Sequence, residues 1–191
     1  MVTRTVGGHG YLEWVTPSEL LDVAERHRVA ARAGLDSTAQ STLGQFFTPA
    51  AAAQLIASMP RLPKAGALRV LDPGAGSGML TAALSARVLA EHPNVSLHIV
   101  AVETDELVLP HLRATLDACT AAGEGRVTAE VVEADFILGA GGSRADVRLA
   151  ADSFDLVIQN PPYGKLGAAS PHRQVMKRAG VDAPNLYAAF L

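Results

Sequence analysis

Leu68-Arg69-Val70-Leu71-Asp72-Pro73-Gly74-Ala75-Gly76-Ser77-Gly78 joins a short apolar strand to a glycine-rich turn, and a helix follows from Met79 to Glu91, where Pro93 stops it. Strand, glycine turn and helix in that order predict a unit whose turn lies at the carboxyl end of a buried strand. The same rhythm recurs downstream. Val95 to Val102 reads as a second strand, a helix settles after Pro110 and runs to Ala122, and Val127 to Val132 reads as a third strand. Phe136 to Asp152 is a glycine-containing connection and Phe154 to Ile158 a fourth strand. Strands alternating with helices predict an α/β fold with a doubly wound, mostly parallel sheet covered on both faces.

Upstream the signals are helical. Thr16 is placed to cap, Pro17 suits the first helical position, Glu19 completes a capping box and Gly34 follows as the stop. Leu20, Leu21, Ala24, His27 and Ala31 fall close to one face, with His27 read as a packing residue because no partner for a metal accompanies it. Thr48 and Pro49 open another helix from Ala50 to Met59, ended by Pro60 and Pro63. Near Pro184 a further helix begins. Four strands are about half of a doubly wound sheet, so the expectation is the N-terminal portion of something longer.

Composition bounds the function. Of 191 residues 49% are apolar and 18% charged, enough for a substantial core and too little charge for a disordered chain. No stretch approaches the roughly 18 uninterrupted apolar residues of a membrane span, and Met1 to Gly10 lacks the pattern of a signal peptide. The expected location is the cytoplasm. A lone Cys119 cannot close an intrachain disulfide, and no Cys or His cluster surrounds it to bind metal. The net charge of −3 argues against a nucleic-acid binder basic over its whole surface, while leaving room for a local basic groove.

Asp72 to Gly78 allows the backbone to approach a ligand closely, but its Gly-x-Gly-x-Gly spacing is not the dinucleotide Gly-x-Gly-x-x-Gly, and no Lys-Ser or Lys-Thr follows. At the end of the second strand Glu103 can accept both hydroxyls of a ribose. At the end of the third, Asp135 can accept from an exocyclic amine beside Phe136, an aromatic face for a purine. Asn160-Pro161-Pro162-Tyr163 follows the fourth strand. It holds no group that titrates near neutrality, the tyrosine reference pKa being about 10, so its chemistry is hydrogen bonding and stacking. Pro162 restricts Pro161 to extended geometry. The Pro161 carbonyl and the Asn160 side-chain carbonyl then offer two acceptors to one NH2 group, which favours a pyramidal nitrogen with an available lone pair. Tyr163 supplies the face on which a planar ring stacks.

At these residues the chain resembles the amino-group S-adenosylmethionine-dependent methyltransferases, whose catalytic motif is (Asn/Asp/Ser)-Pro-Pro-(Tyr/Phe/Trp). More narrowly it resembles the γ-class N6-adenine DNA methyltransferases, including type I modification subunits and type II restriction-modification methylases. Gly44-Gln45-Phe46-Phe47-Thr48-Pro49 matches their segment that precedes the glycine loop, and Asn185-Leu186-Tyr187 looks like the start of a later motif. The resemblance implies a Rossmann-like methyltransferase fold, with S-adenosyl-L-methionine as cofactor. It implies Phe47, Thr48 and Pro49 on the methionine part of the cofactor, with Asp72, Pro73, Gly74, Ala75, Gly76 and Gly78 lining its backbone side. Glu103 is then on the ribose, and Asp135 with Phe136 on the adenine. Asn160, Pro161, Pro162 and Tyr163 are the implied catalytic residues. The expected organisation is an N-terminal helical segment over residues 1–43 and a partial catalytic domain over 44–191, lacking the remaining strands and a target-recognition domain.

The implied activity is methyl transfer to adenine N6 in double-stranded DNA, with the base flipped out of the stack, within a restriction-modification or phage-defence system. A specificity subunit or fused target-recognition domain is the implied partner. Lys165, Arg173, Lys177 and Arg178 lie in what reads as a loop after the tetrapeptide, with no acidic residue between Asp155 and Asp182, and suit a phosphate backbone. Two neighbours share the chemistry, a protein-glutamine N5-methyltransferase and an rRNA amino-group methyltransferase. The glutamine enzymes differ in lacking the segment from Gln45 to Pro49. From another class, the alternative is a noncatalytic binding fragment that keeps part of a cofactor site without turnover.

Overall fold

The computed structural model describes residues 4–6, 12–34, 47–141 and 153–190. Two short strands, β1 (Arg4–Val6) and β2 (Leu12–Trp14), pair antiparallel and precede a single 3-10 turn, Pro17–Glu19. Helix α1 (Leu20–Gly34) follows directly. The Glu19 carboxylate reaches back to the Thr16 N–H at 2.8 Å, one half of the expected capping box. Helix α2 (Ala50–Ser58) comes after the stretch that lies outside the described residues, which includes Gly44, Gln45 and Phe46.

Four parallel strands form the central sheet in the order β5-β4-β3-β6. They are β3 (Gly66–Pro73), β4 (Val95–Glu103), β5 (Val127–Glu133) and β6 (Leu156–Val157), with α3 (Met79–Glu91) joining β3 to β4 and α4 (Leu109–Gly123) joining β4 to β5. The chain thus begins in the middle of the sheet, steps outward twice, and returns to the other flank of β3. That reversal opens a crevice beyond the carboxyl ends of β3 and β6, where a doubly wound sheet places its ligand.

Apolar runs in β3 and β4 are explained by burial on both faces. Val70, Val95, Leu97 and Ile99 point to one side and pack with Leu84 and Val88 of α3 and with Leu20, Val23 and Ala24 of α1. Leu71, Val100, Val102 and Val132 point to the other, against Phe136 and Phe154. Helix α1 therefore shares the core of the sheet. On it, His27 is half-buried beside His111 of α4, ring centroids 5.8 Å apart, and burial lowers its pKa. Cys119 is buried in the same core, its thiol pushed up to about 12 by desolvation.

Three features depart from the sequence reading. The β1–β2 hairpin is built of three-residue strands, too short to show a period. The connection expected from Phe136 to Asp152 opens as helix α5 (Phe136–Gly141), capped by Asp135, whose Oδ1 accepts from the Leu138 N–H at 3.0 Å; residues 142–152 lie outside the described residues. The basic stretch after Tyr163 is not a loop throughout, because Pro171–Arg178 forms helix α6, with Pro171 in its first turn and the Ser170 hydroxyl accepting from the Arg173 N–H. A short helix α7 (Leu186–Ala189) follows, capped by Asn185. Among the described residues no helix is long and apolar enough to cross a membrane.

Candidate active site

The carboxyl ends of the four strands surround a cavity of about 250 Å3. A single water needs about 10–15 Å3 of such space, so the cavity is ligand-sized. Its floor is the turn after β3. Gly76 holds a left-handed φ of +57°, and a β-carbon there would meet the Phe47 ring at 3.6 Å. At Gly78, where α3 starts, φ is +84° and a β-carbon would lie 3.1 Å from both Leu112 and Thr115. The turn has no side chain at Gly74 or Gly76, and the rings of Phe190 and Phe47 lie against it at those two positions.

Glu103 is 7% exposed and rigidly held. Its Oε2 accepts from the Gly76 N–H at 2.8 Å, and its Oε1 accepts from the N–H groups of Thr104 and Asp105 at 2.8 and 2.9 Å. Three of about four lone-pair positions on the carboxylate are therefore taken by backbone. One is left for a ligand hydroxyl.

Asp72, by contrast, lies away from the cavity. It is fully buried, its Oδ2 accepts from the Thr81 hydroxyl at 2.7 Å, and its Oδ1 has no partner among the described residues. Desolvation pushes its carboxyl up to about 7, with the nearby Glu103 charge adding to the rise and the Thr81 bond opposing it. Its place is structural, tying the turn to the first residues of α3. Pro49, Pro73 and Gly78 also sit behind the cavity lining, whereas Phe47, Thr48, Gly74, Ala75 and Gly76 form part of it.

Asp135 and Phe136 close the third side. Phe136 tilts against Phe190, centroids 5.3 Å apart and planes at 39°. While Oδ1 of Asp135 caps α5, its Oδ2 takes a hydrogen bond from Nε2 of His172 at 2.7 Å. His172 and Phe190 line the cavity and were not singled out in the sequence. No local motif marks either one, since both arrive by long-range packing of α6 and α7.

Asn160 follows β6 and faces the same cavity. Its Nδ2 donates to the Thr48 hydroxyl at 3.0 Å across 112 positions of sequence. With the amide nitrogen engaged, the side-chain carbonyl is the part of Asn160 left to accept from a ligand. Pro162 lines the cavity and Pro161 is buried beside it. Tyr163 stands outside, 57% exposed, with Tyr187 stacked on it at 5.8 Å and an interplanar angle of 11°. Gln159 donates to the Phe190 carbonyl at 3.2 Å, fastening the end of α7 to the end of β6.

The four basic residues are distributed differently from the sequence reading. Arg173 is ion-paired with Asp182 at 3.0 Å, Arg178 donates to the Gln174 carbonyl, and Lys165 joins Asn185 in an isolated β-bridge. Lys177 and Arg178 stand in the last turn of α6. Two strand-end carboxylates, aromatic rings and a glycine turn on one cavity fit a nucleoside bearing a short chain. Beside that site, the Asn160 carbonyl fits an amine.

The N-6 DNA methylase family matches residues 34–185. The chain is 35% identical over 179 residues to type II methyltransferase M.BsuBI of Bacillus subtilis, a match that covers 91% of this chain and 34% of that protein. It is 31% identical over 178 residues to type II methyltransferase M.PstI of Providencia stuartii, covering 92% of this chain and 34% of that protein. The chain spans about a third of the length of these curated relatives. Among solved structures it matches a protein described as a class I S-adenosylmethionine-dependent methyltransferase from Listeria monocytogenes. The TM-score is 0.63 at 16% identity, over 92% of this chain and 48% of that one. The fold is therefore the Rossmann-like methyltransferase fold, here with four of its strands.

Proposed function

The chain belongs to the N-6 DNA methylase family, and from that premise we propose that the whole protein transfers a methyl group from S-adenosylmethionine to adenine N6 in DNA, within a restriction-modification system. The observation that carries this reading is the place of Asn160. It lies at the topological switch point, on the cavity that Glu103 and Asp135 also line, with its amide nitrogen tied to Thr48. Residues 44–191 are the catalytic part, and a target-recognition domain or specificity subunit supplies the sequence preference.

S-adenosylmethionine fits the residues present. Glu103 would offer one lone-pair position to a ribose hydroxyl, Asp135 would accept from an exocyclic amine, Phe136 would offer a ring face, and the Gly74–Gly76 turn with Phe47 and Thr48 would hold the amino-acid chain. When bound, the cofactor supplies an electrophilic methyl group.

The remaining work belongs to this chain. Its substrate nitrogen is a poor nucleophile because the lone pair is delocalised into the ring. The Asn160 carbonyl, with the Pro161 carbonyl as second acceptor, draws the two hydrogens aside and favours a pyramidal nitrogen. Such help matters most as the reaction proceeds, so it belongs to the transition state rather than to ground-state binding. No side chain there need titrate near neutrality. A base in a duplex cannot reach a concave pocket without leaving the stack, at a cost of a few kcal/mol. The exposed Tyr163, backed by Tyr187, is the platform that receives it. Lys177 and Arg178 at the end of α6 are the cations placed for the phosphate backbone; Arg173 is committed to Asp182.

The test is methyl transfer by the full-length protein, given labelled cofactor and separately offered unmethylated DNA, rRNA and a release-factor protein. Label in DNA, recovered as N6-methyladenine after digestion, is the expected result. Label on cytosine N4, on rRNA or on a protein amide overturns the proposal.

A further inference from the structure

We propose that His172 is a positioning residue which, through Asp135, makes the cofactor site select a 6-amino purine over a 6-oxo purine; this rests on the cofactor reading above. A lone aspartate at a strand end is a swivelling acceptor, able to turn either oxygen toward a ligand or away from it. Asp135 has lost that freedom. Its Oδ1 receives the Leu138 N–H at 3.0 Å, and its Oδ2 receives Nε2 of His172 at 2.7 Å. A carboxylate can only accept, so Nε2 carries the proton of that bond.

The helix that carries the imidazole is itself anchored. His172 is the second residue of α6, whose Val175 is buried and whose Met176 packs with Ile137, Leu166 and Ala183. The Ser170 hydroxyl caps the helix, and the Val181 N–H donates to the Met176 carbonyl at 2.9 Å. The backbone that carries the ring is thus held beside Asp135.

A carboxylate whose plane is set from two sides presents its remaining lone pairs in one direction. An exocyclic amine satisfies them. An oxo group at the same place sets lone pair against lone pair, and the fixed carboxylate cannot rotate to relieve it. Discrimination of this kind comes from the penalty on the wrong ligand as much as from the bond to the right one. Without His172, Asp135 keeps its cap on the Leu138 N–H but loses the second contact that sets its plane, and the penalty shrinks.

The experiment is titration calorimetry of the full-length protein with S-adenosyl-L-homocysteine and its deaminated counterpart, S-inosyl-L-homocysteine. The readout is the ratio of the two dissociation constants. We expect the unmutated protein to prefer the amino form at least tenfold, His172→Leu to reduce the preference below threefold, and His172→Gln, which returns an N–H donor, to restore most of it. Asp135→Asn should abolish the preference by itself, so a His172→Leu protein that melts early still leaves two variants to judge. If the leucine variant weakens both ligands by the same factor, or keeps the full preference, His172 is only part of the wall and the proposal fails while the cofactor reading stands. If the unmutated protein binds the two compounds equally, the selection is absent and the proposal fails likewise. If it binds neither, both readings fall.

Discussion

Between Asp72 and Gly78 the chain completes its share of the crevice within one turn, shaped by its own glycines and by Thr81 just beyond it and tied to β4 through the Gly76 N–H and Glu103. On the opposite side the decisive contacts are remote. Asn160 is tied to Thr48, His172 to Asp135 and Phe190 to Gln159, partners separated in sequence by 112, 37 and 31 positions. A floor encoded locally and a wall assembled from remote pairs should respond differently to mutation. Damage to the floor is felt as lost folding stability or cofactor affinity. Damage to the wall is felt in the chemical step, because the wall carries the acceptor that faces the reacting amine.

The largest expected effect is at the wall. Asn160→Ala should slow single-turnover methyl transfer on the order of 100-fold or more, the scale seen when one preorganised transition-state hydrogen-bonding group is removed. Cofactor affinity measured by calorimetry should change little. A variant that loses affinity and keeps its chemical rate would reverse the division of labour between the two regions.

Next comes the floor itself. Gly78→Ala places a β-carbon 3.1 Å from Leu112 and Thr115 at a φ of +84°. Left-handed strain and overpacking together should destabilise the fold by about 2 kcal/mol. Chemical denaturation reads this directly, and an unchanged midpoint would mean that the turn is softer than its geometry implies.

Asp72 gives a smaller, pH-dependent effect. Its folded carboxyl titrates at about 7 against an ordinary 3.8, so the folded state holds a proton that the unfolded chain has released. The resulting stability is fully present below the ordinary value and is lost as pH rises through about 7. Asp72→Asn keeps an acceptor for Thr81 and removes the titration. Its melting temperature should vary less than that of the unmutated protein between about pH 4 and pH 7. Parallel profiles would show that the carboxyl is not the group responsible.

Tyr163→Phe should be the mildest change, within about twofold in single-turnover rate, because the ring and its stack on Tyr187 are retained and only the hydroxyl is lost. Tyr163→Ala removes the platform and should weaken capture of an extruded base by roughly 1 to 3 kcal/mol. Equal losses in the two variants would move the role from the ring to the hydroxyl.

The same contrast explains what could be read from the amino-acid sequence. Strands β3 and β4 were legible because burial on both faces gives them apolar runs, β5, which carries Thr128 and Glu130, by its place in the strand–helix rhythm, and the turn because glycine spacing records its backbone directly. Asn160 and Glu103 were legible because each ends such a run. His172 and Phe190 were not, since a histidine in a polar helix and a phenylalanine near Leu191 carry no local mark of the cavity they reach. Helix α6 was passed over although Ser170-Pro171 is a fair start signal, because the charged stretch after it has no apolar period beyond Val175 and Met176. Asp72 was assigned to the ligand because it stands in the motif, while its side chain turns inward to Thr81. Sequence position located the turn. It could not say which way each side chain points.

The most direct test of the remote wall is a double-mutant cycle on Thr48 and Asn160, read as the single-turnover rate of methyl transfer to adenine N6 by the full-length protein. If the Thr48 hydroxyl acts by orienting the Asn160 amide, Thr48→Val slows the unmutated protein about tenfold, one hydrogen bond's worth, and has almost no effect once Asn160 is alanine. Equal slowing in both backgrounds would contradict the account, because Thr48 would then act on something other than the acceptor it is bonded to.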